Sequence, residues 1–360
     1  MNYEEKNWAR DLAKGLISVD QLRDKKVINE NDKNKIAAVK ELFDIRVPQI
    51  FADNSHLEIG EIAKQFVPSV NELTFLPEEF EDPIGDEAWT PVEGITHRYK
   101  DRVLLKLTYM CASYCRFCFR RYKVSDSSFN MSADEYEKAI NYIERNEDIW
   151  EVILTGGDPL TLTDQKLKIV LNDLNKIAHV KVIRFHTRIP SVLPSRINTD
   201  LIQLLKEIQK QIIFVVHMNS HYEFTKESQH ALKLLREHGF PLLLQAVLLK
   251  SINDSKEKLS LLFKTAVEHG IKPYYLHYLD LAKGVEHFRV PLKNALNLFK
   301  SLRGNISGIC IPEFILDIPG GKGKIVLNEY NAVELENNCW QFLSPLDGSK
   351  IIVKYPEKEI

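Results

Sequence analysis

Tyr109-Met-Cys-Ala-Ser-Tyr-Cys-Arg-Phe-Cys-Phe-Arg-Arg-Tyr122 holds three of the chain's five cysteines, Cys111, Cys115 and Cys118, at the spacing C-x3-C-x2-C with an aromatic just before the third. Three thiolates from one loop suit three irons of a [4Fe–4S] cube, whose usual protein set is four cysteines. The missing fourth ligand leaves one iron open to a small molecule. Structural zinc wants four ligands, usually as two C-x2-C-like pairs, whereas Cys310 and Cys339 stand alone. A disulfide framework would not crowd three of five thiols into eight residues, and the polar opening Met1-Asn-Tyr-Glu-Glu-Lys-Asn-Trp8 lacks the apolar core of a secretory signal.

Working outward from that loop, apolar β-rich runs fall at Val103–Thr108, Glu151–Thr155, Val180–Phe185, Ile212–Val216, Leu242–Val247 and Pro273–Tyr278. Helical patterns lie near 132–145, 164–177, 199–209, 226–238, 255–269 and 291–302. Six β-then-α units of roughly 30 residues each predict parallel strands with right-handed crossovers. Six are too few for a full eight-fold barrel, and a doubly wound sheet is the competitor on pattern alone. In either fold ligands gather at the carboxyl ends of the strands. The cysteine loop follows the first strand and resembles the cluster loop of the radical S-adenosylmethionine (SAM) enzymes, where SAM chelates the open iron. That resemblance implies an α/β fold with a partial (β/α)6 TIM-like barrel. Residues 1–95 read as an N-terminal helical region and connector, with Trp8, Leu12, Leu16 and then Ile36, Val39, Leu42, Phe43 at helix-like intervals and Pro77, Pro83 and Pro91 breaking the chain. Residues 96–305 read as the barrel. Residues 306–360 read as a short C-terminal segment, opened by a seventh apolar run at Ile309–Leu316.

The 360 residues carry 48 Lys and Arg against 50 Asp and Glu, a net charge of −2, with a hydrophobic fraction of 44%. That balance predicts neither a nucleic-acid nor a membrane surface. Apolar runs such as Ile212-Ile-Phe-Val-Val216 are too short to span a bilayer. A cytoplasmic, reducing home is expected, which an oxygen-sensitive cluster would also need.

Two glycine-rich turns follow predicted strands. In Thr155-Gly-Gly-Asp-Pro-Leu160, Gly156 and Gly157 let backbone approach a ligand closely and Asp158 adds a carboxylate; alone, the segment is a strand-to-helix turn. Pro319-Gly-Gly-Lys-Gly-Lys324 lacks the Ser or Thr that would complete a phosphate-binding G-x4-G-K-[ST] loop. It is either a mobile surface turn or the site of a lysine that binds pyridoxal phosphate (PLP), with glycines that let the lysine swing away.

The chain resembles the lysine 2,3-aminomutase family, radical SAM enzymes that depend on PLP. The resemblance runs from about Thr96 to Pro356 and covers His97-Arg-Tyr-Lys-Asp-Arg102, the cysteine loop, Thr155-Gly-Gly-Asp158, Gln245-Ala-Val-Leu-Leu249, Pro273-Tyr-Tyr275, Gly284-Val-Glu-His-Phe-Arg289, Ser307-Gly-Ile-Cys-Ile-Pro312 and the Asp317…Lys324 segment. It implies that Cys111, Cys115 and Cys118 hold the cluster, that Gly156, Gly157 and Asp158 lie at the SAM methionyl amine, and that Lys324 carries PLP. Lys322 is the second candidate for that role. Arg98 and Arg102 fall near PLP and its phosphate, and His217 and Gln245 near the cofactors. Arg120 matches the arginine that pairs with the substrate α-carboxylate, for which a planar fork suits better than an ammonium.

Asp280 and Asp317 match the positions that read the substrate's distal amine, and in glutamate-specific relatives these are not both acidic. Two carboxylates aimed into one site repel unless a cation lies between them, and a lysine ε-ammonium would satisfy both. The implied reaction interconverts L-lysine and L-β-lysine. Arginine is the rival substrate. His277, where classical members carry tyrosine, points to the branch that makes β-lysine for elongation factor P. The C-terminal zinc-binding cysteines of some members are absent, so no zinc is expected. A flavodoxin or ferredoxin is expected as electron donor, and the resemblance suggests a homo-oligomer. A radical SAM enzyme without PLP, an iron–sulfur electron carrier and a structural zinc module remain as other readings.

Overall fold

The alternation of short apolar runs with helix-period segments is realised as a nine-stranded sheet in strict sequence order. The structure, a computed structural model, describes residues 8–356; most of the polar opening and the last four residues of the chain end lie outside the described residues. The strands are β1 (Ile95–Tyr99), β2 (Arg102–Thr108), β3 (Glu151–Gly156), β4 (Val182–Thr187), β5 (Gln211–His217), β6 (Leu242–Val247), β7 (Lys272–His277), β8 (Glu313–Asp317) and β9 (Lys324–Val326). β2 to β8 are parallel, while β1 and β9 add antiparallel at the two edges. β1 and β9 do not pair with each other, so the barrel is partial, as expected.

Six of the parallel strands coincide with the predicted runs to within two residues at either end. The seventh differs at its start. Of the run Ile309–Leu316, Gly308–Cys310 forms a 3-10 turn with Ile309 exposed, and only the part from Glu313 joins the sheet, as β8. The sheet therefore continues into the segment after residue 305, and the glycine-rich loop is the β8–β9 connection.

The crossover helices start where side-chain caps allow. Ser132, Thr163, Asn198, Thr225 and Ser255 each accept a hydrogen bond from a backbone N–H in the first turn of the helix that follows. Their apolar faces, for example Leu167, Val170, Leu171 and Leu174 on Asp164–Lys176, pack on the outside of the sheet with the strand residues that point outward. Strand alternation sends every second residue the other way. On β6, Leu242, Leu244 and Ala246 are buried, whereas Leu243, Gln245 and Val247 face the concave side.

The N-terminal region is a collar of short helices, among them Trp8–Ala13, Val19–Asp24, Lys33–Leu42 and Gly60–Phe66. Leu16 falls between helices and bridges to Val47, and Leu42 is solvent-exposed, so the helix-like spacing of the first ninety residues overstated helix continuity. The connector crosses the open end of the barrel, where Phe80 bridges Ala282. After β9, a separate three-stranded antiparallel sheet is built from β10 (Val333–Glu334), β11 (Cys339–Leu343) and β12 (Lys350–Lys354).

Candidate active site

A full barrel fills its interior with side chains; this open one leaves a cavity of about 740 Å³ on its concave side. All fourteen residues singled out for the site line it: the three cysteines, Arg98, Arg102, Arg120, Gly156, Gly157, Asp158, His217, Gln245, Asp280, Asp317 and Lys324. Lys322 does not; it is solvent-exposed.

At one wall, the cysteine loop leaves the end of β2 and packs against the end of β3. A Cβ on Gly157 would stand 2.3 Å from the Met110 carbonyl oxygen, and one on Gly156, whose φ is +104°, would stand 2.7 Å from that of Thr108. The N–H group of Gly157 donates to the Thr108 carbonyl at 2.6 Å and that of Asp158 to the Met110 carbonyl at 2.9 Å. The two glycines thus seat the loop. The Asp158 carboxylate is buried and accepts from Leu160 N, Thr187 Oγ1 and Arg188 N at 2.8–3.1 Å, which ties β3 to the end of β4. Burial pushes its pKa up to about 6 against those donors.

Burial pushes the Cys111 thiol well up and that of Cys118 to about 11. Thiols in such a place ionise readily only against a metal. Among the described residues no three ligating side chains converge as on a single ion. Arg188, unnoticed in the sequence, donates from Nη1 to Cys115 Sγ at 2.7 Å.

At the opposite wall, the β8–β9 register sets Lys324 directly across from Asp317. Lys324 Nζ donates to Asp317 Oδ2 at 2.5 Å, and its backbone N–H to the Tyr99 hydroxyl at 2.8 Å. His277 Nδ1 lies 3.4 Å from the same Oδ2. Burial raises the Asp317 carboxyl, but the Lys324 ammonium and His277 override it and hold it well below the usual range. Asp280 has no hydrogen-bond partner for its carboxylate among the described residues. Burial and the Asp317 charge push it up to about 7.

Between the walls, Arg120 Nη2 donates to Asp86 Oδ2 at 2.7 Å, and Arg98 Nη2 to Asp86 Oδ1 at 3.3 Å. Arg102 is nearer the surface, paired with Asp101 at 2.7 Å and with its guanidinium over the Tyr99 ring. Among the described residues, six buried nitrogens of the cavity lining have no protein partner: Arg98 Nε, Arg184 Nε, His186 Nε2, Arg188 Nε, His217 Nε2 and His277 Nε2. Buried donors and acceptors are normally paired, so a cavity edged by them suits a polar occupant. Together with a reachable lysine amine and two or more arginines, that lining fits a phosphorylated, aldehyde-bearing cofactor such as PLP. The sequence reading missed Asp86, Tyr99, Arg184, His186 and Arg188. His186 and Arg184 were legible in principle, because they alternate within the apolar β4 run; Asp86 lies on the irregular connector and carried no signal.

Residues 105–262 match the profile of the Radical SAM superfamily. This is therefore a radical SAM barrel with a lysine-bearing cavity at its mouth. The chain is 40% identical over 329 residues, 90% of its length, to the L-lysine 2,3-aminomutase of Methanococcus maripaludis, of which it covers 75%. To the L-lysine 2,3-aminomutase of Clostridium subterminale it is 40% identical, covering 73% of this chain and 63% of that one. For that of Bacillus subtilis the figures are 34%, 99% and 76%. Among solved structures, a radical S-adenosylmethionine methyltransferase from Kitasatospora setae aligns over 51% of this chain and 36% of that one with a TM-score of 0.36 and 11% identity, a distant likeness. The chain belongs to the lysine 2,3-aminomutase family, isomerases that work with a [4Fe–4S] cluster, SAM and PLP.

Proposed function

We propose that this enzyme interconverts L-lysine and L-β-lysine, with Lys324 as the PLP lysine and Cys111, Cys115 and Cys118 as the three cluster ligands. The observation that carries the substrate choice is the Lys324 Nζ–Asp317 Oδ2 contact at 2.5 Å, beside a second buried carboxyl, Asp280, which burial and the Asp317 charge push up. A primary ammonium on an alkyl chain already occupies the position that a substrate ε-ammonium would take. Once Lys324 is engaged elsewhere, Asp317 and Asp280 are left as two carboxylates facing each other, and a cation between them removes the repulsion.

When bound, the cluster and SAM supply the hydrogen-abstracting radical and PLP supplies the conjugated system across which the amino group moves. The chain's own residues do the rest. Arg120 presents its planar guanidinium to the α-carboxylate, oriented from behind by Asp86. Asp280 and Asp317 take the distal ammonium and so fix how far the substrate's α- and β-carbons lie from the cysteine wall. Arg98 and Arg102 supply positive charge for the phosphate. The connector that crosses the barrel mouth, held to the glycine-rich loop by Trp89 Nε1 donating to Gly321 O at 2.9 Å, shields the cavity from water and oxygen. His217 and Gln245 border the cavity on adjacent strands, paired in register, and contact the cofactors. A low-potential flavodoxin or ferredoxin delivers the electron, in the cytoplasm, to a homo-oligomer.

The test is a product assay on anaerobically reconstituted protein with SAM, PLP, a strong reductant and L-lysine. β-Lysine is the expected product. Deoxyadenosine without β-lysine, with turnover of L-arginine instead, would move the substrate to the guanidinium that two aspartates could equally hold.

A further inference from the structure

Arg188 is the first residue after β4, and none of the roles above uses it. It is buried, and its guanidinium is held at both terminal nitrogens, while Nε has no partner among the described residues. Nη2 donates to Glu223 Oε2 at 2.8 Å and also to Gln65 Oε1, while Nη1 donates to Cys115 Sγ at 2.7 Å. The guanidinium carbon lies 4.6 Å from the Phe66 ring centroid and 5.5 Å from that of Phe117. Its backbone N–H is held by Asp158 Oδ2 at 2.8 Å. Glu223 is fully buried and is itself fixed by Ser191 Oγ and by the N–H groups of Asn219 and Ser220 at 2.7–3.1 Å. Among the described residues, no other cationic side chain donates a hydrogen bond to a cysteine sulfur.

We infer that Arg188 is a positioning residue that sets the reduction potential of the cluster through its hydrogen bond to Cys115 Sγ. The inference rests on the reading of the cysteine loop as the cluster site. One-electron reduction from the 2+ to the 1+ cube, by an external low-potential donor, adds a negative charge shared with the sulfurs and makes or breaks no bond. A cationic N–H···S contact favours that added charge, the more so in a buried, low-dielectric place. Hydrogen bonds to sulfur and local charge are among the main determinants of such potentials. Arg188 therefore makes the cluster easier to reduce. Glu223, the countercharge behind it, works in the opposite sense while holding the fork in place.

The test is an EPR-monitored redox titration of the reconstituted holoenzyme. Arg188→Gln is expected to shift the midpoint to more negative potential by at least 59 mV, a tenfold smaller reduced-to-oxidised ratio at fixed poise. Glu223→Gln is expected to shift it to more positive potential. An unchanged midpoint in Arg188→Gln overturns the inference. Should that variant not take up a cluster, wild-type enzyme labelled with 15N in its arginine guanidinium groups decides. Pulsed EPR of the reduced cluster is expected to show a 15N coupling that Arg188→Lys, made in the same labelled background, lacks. No coupling in the wild type, or the same coupling in Arg188→Lys, overturns the inference. Wild-type protein with no cluster signal at all would instead refute the iron–sulfur reading of the loop.

Discussion

Asp280→Asn separates the proposed lysine site from a merely structural acid pair. In the folded protein burial and the Asp317 charge raise Asp280 to about 7. A carboxyl raised in this way is neutral below that pH and charged above it. At pH 8 and above, the ionised group adds a charge-assisted hydrogen bond to a bound ε-ammonium, about 1.5–3 kcal/mol. At about 1.4 kcal/mol per tenfold, its loss in the variant lowers kcat/KM for lysine by about 10- to 150-fold. Below about pH 7 the wild type increasingly lacks the charge before lysine arrives and loses rate, whereas the Asp280→Asn variant has no such charge to lose. The ratio of wild-type to variant kcat/KM is therefore largest at alkaline pH and shrinks as the pH falls through that value. Other titrating groups, shared by both proteins, cancel in the ratio. The assay is β-lysine formation at subsaturating lysine from pH 6 to 9, with cluster and PLP content matched. A ratio near one, or one that stays flat across that range, would refute the assignment of Asp280 to the ammonium.

Borohydride reduction of the PLP-loaded enzyme should leave a pyridoxyl group on the peptide carrying Lys324, and Lys324→Ala should carry none; a label on Lys322 in that variant would move the role to the exposed neighbour. Glu72 is fully buried between Arg116, at 2.6 Å, and Arg121, and so anchors the N-terminal collar to the cysteine loop. Glu72→Ala should cost about 3–5 kcal/mol in denaturant unfolding, because two buried guanidinium groups lose their carboxylate. Burial works against ionisation of Glu72, but the two arginines prevail and depress its pKa. That contribution is therefore present above the ordinary glutamate value of 4.5 and is lost progressively at lower pH, until Glu72 itself takes a proton. Gly157→Ala, with its new methyl 2.3 Å from a backbone oxygen of the cysteine loop, should lower stability by about 1–3 kcal/mol and cut iron uptake; normal cluster absorbance in this variant would show that the loop can move aside.

The parallel strands were legible because their cause is local and periodic, whereas the choice of a barrel over a doubly wound sheet came from the resemblance of the cysteine loop. Short apolar runs bounded by capped helices can bury themselves only as crossover-linked strands, and β2 to β7 fall where the pattern put them. The cysteine spacing and the two glycine turns were legible because each occupies a few consecutive residues. The collar was read less well, since short helices joined by irregular chain leave a weak period: Leu42 sits at a helical interval yet points to water.

By itself the sequence determined where the parallel strands lie, the cysteine loop and the identity of the residues that could do chemistry. Only the tertiary structure decided which of them meet. The β8–β9 register, rather than any motif, places Lys324 opposite Asp317 and leaves Lys322 outside. Closure of the connector over the barrel mouth sets Asp86 behind Arg120, 34 residues away in the chain. The end of β4 brings Arg188 to Cys115 across 73 residues. Contacts of that kind have no sequence period, because they depend on where separate elements end in space, and burial then gives chemically identical side chains different charges: Asp317 is held ionised by an ammonium while Asp280, with no hydrogen-bond partner among the described residues, is pushed up to about 7.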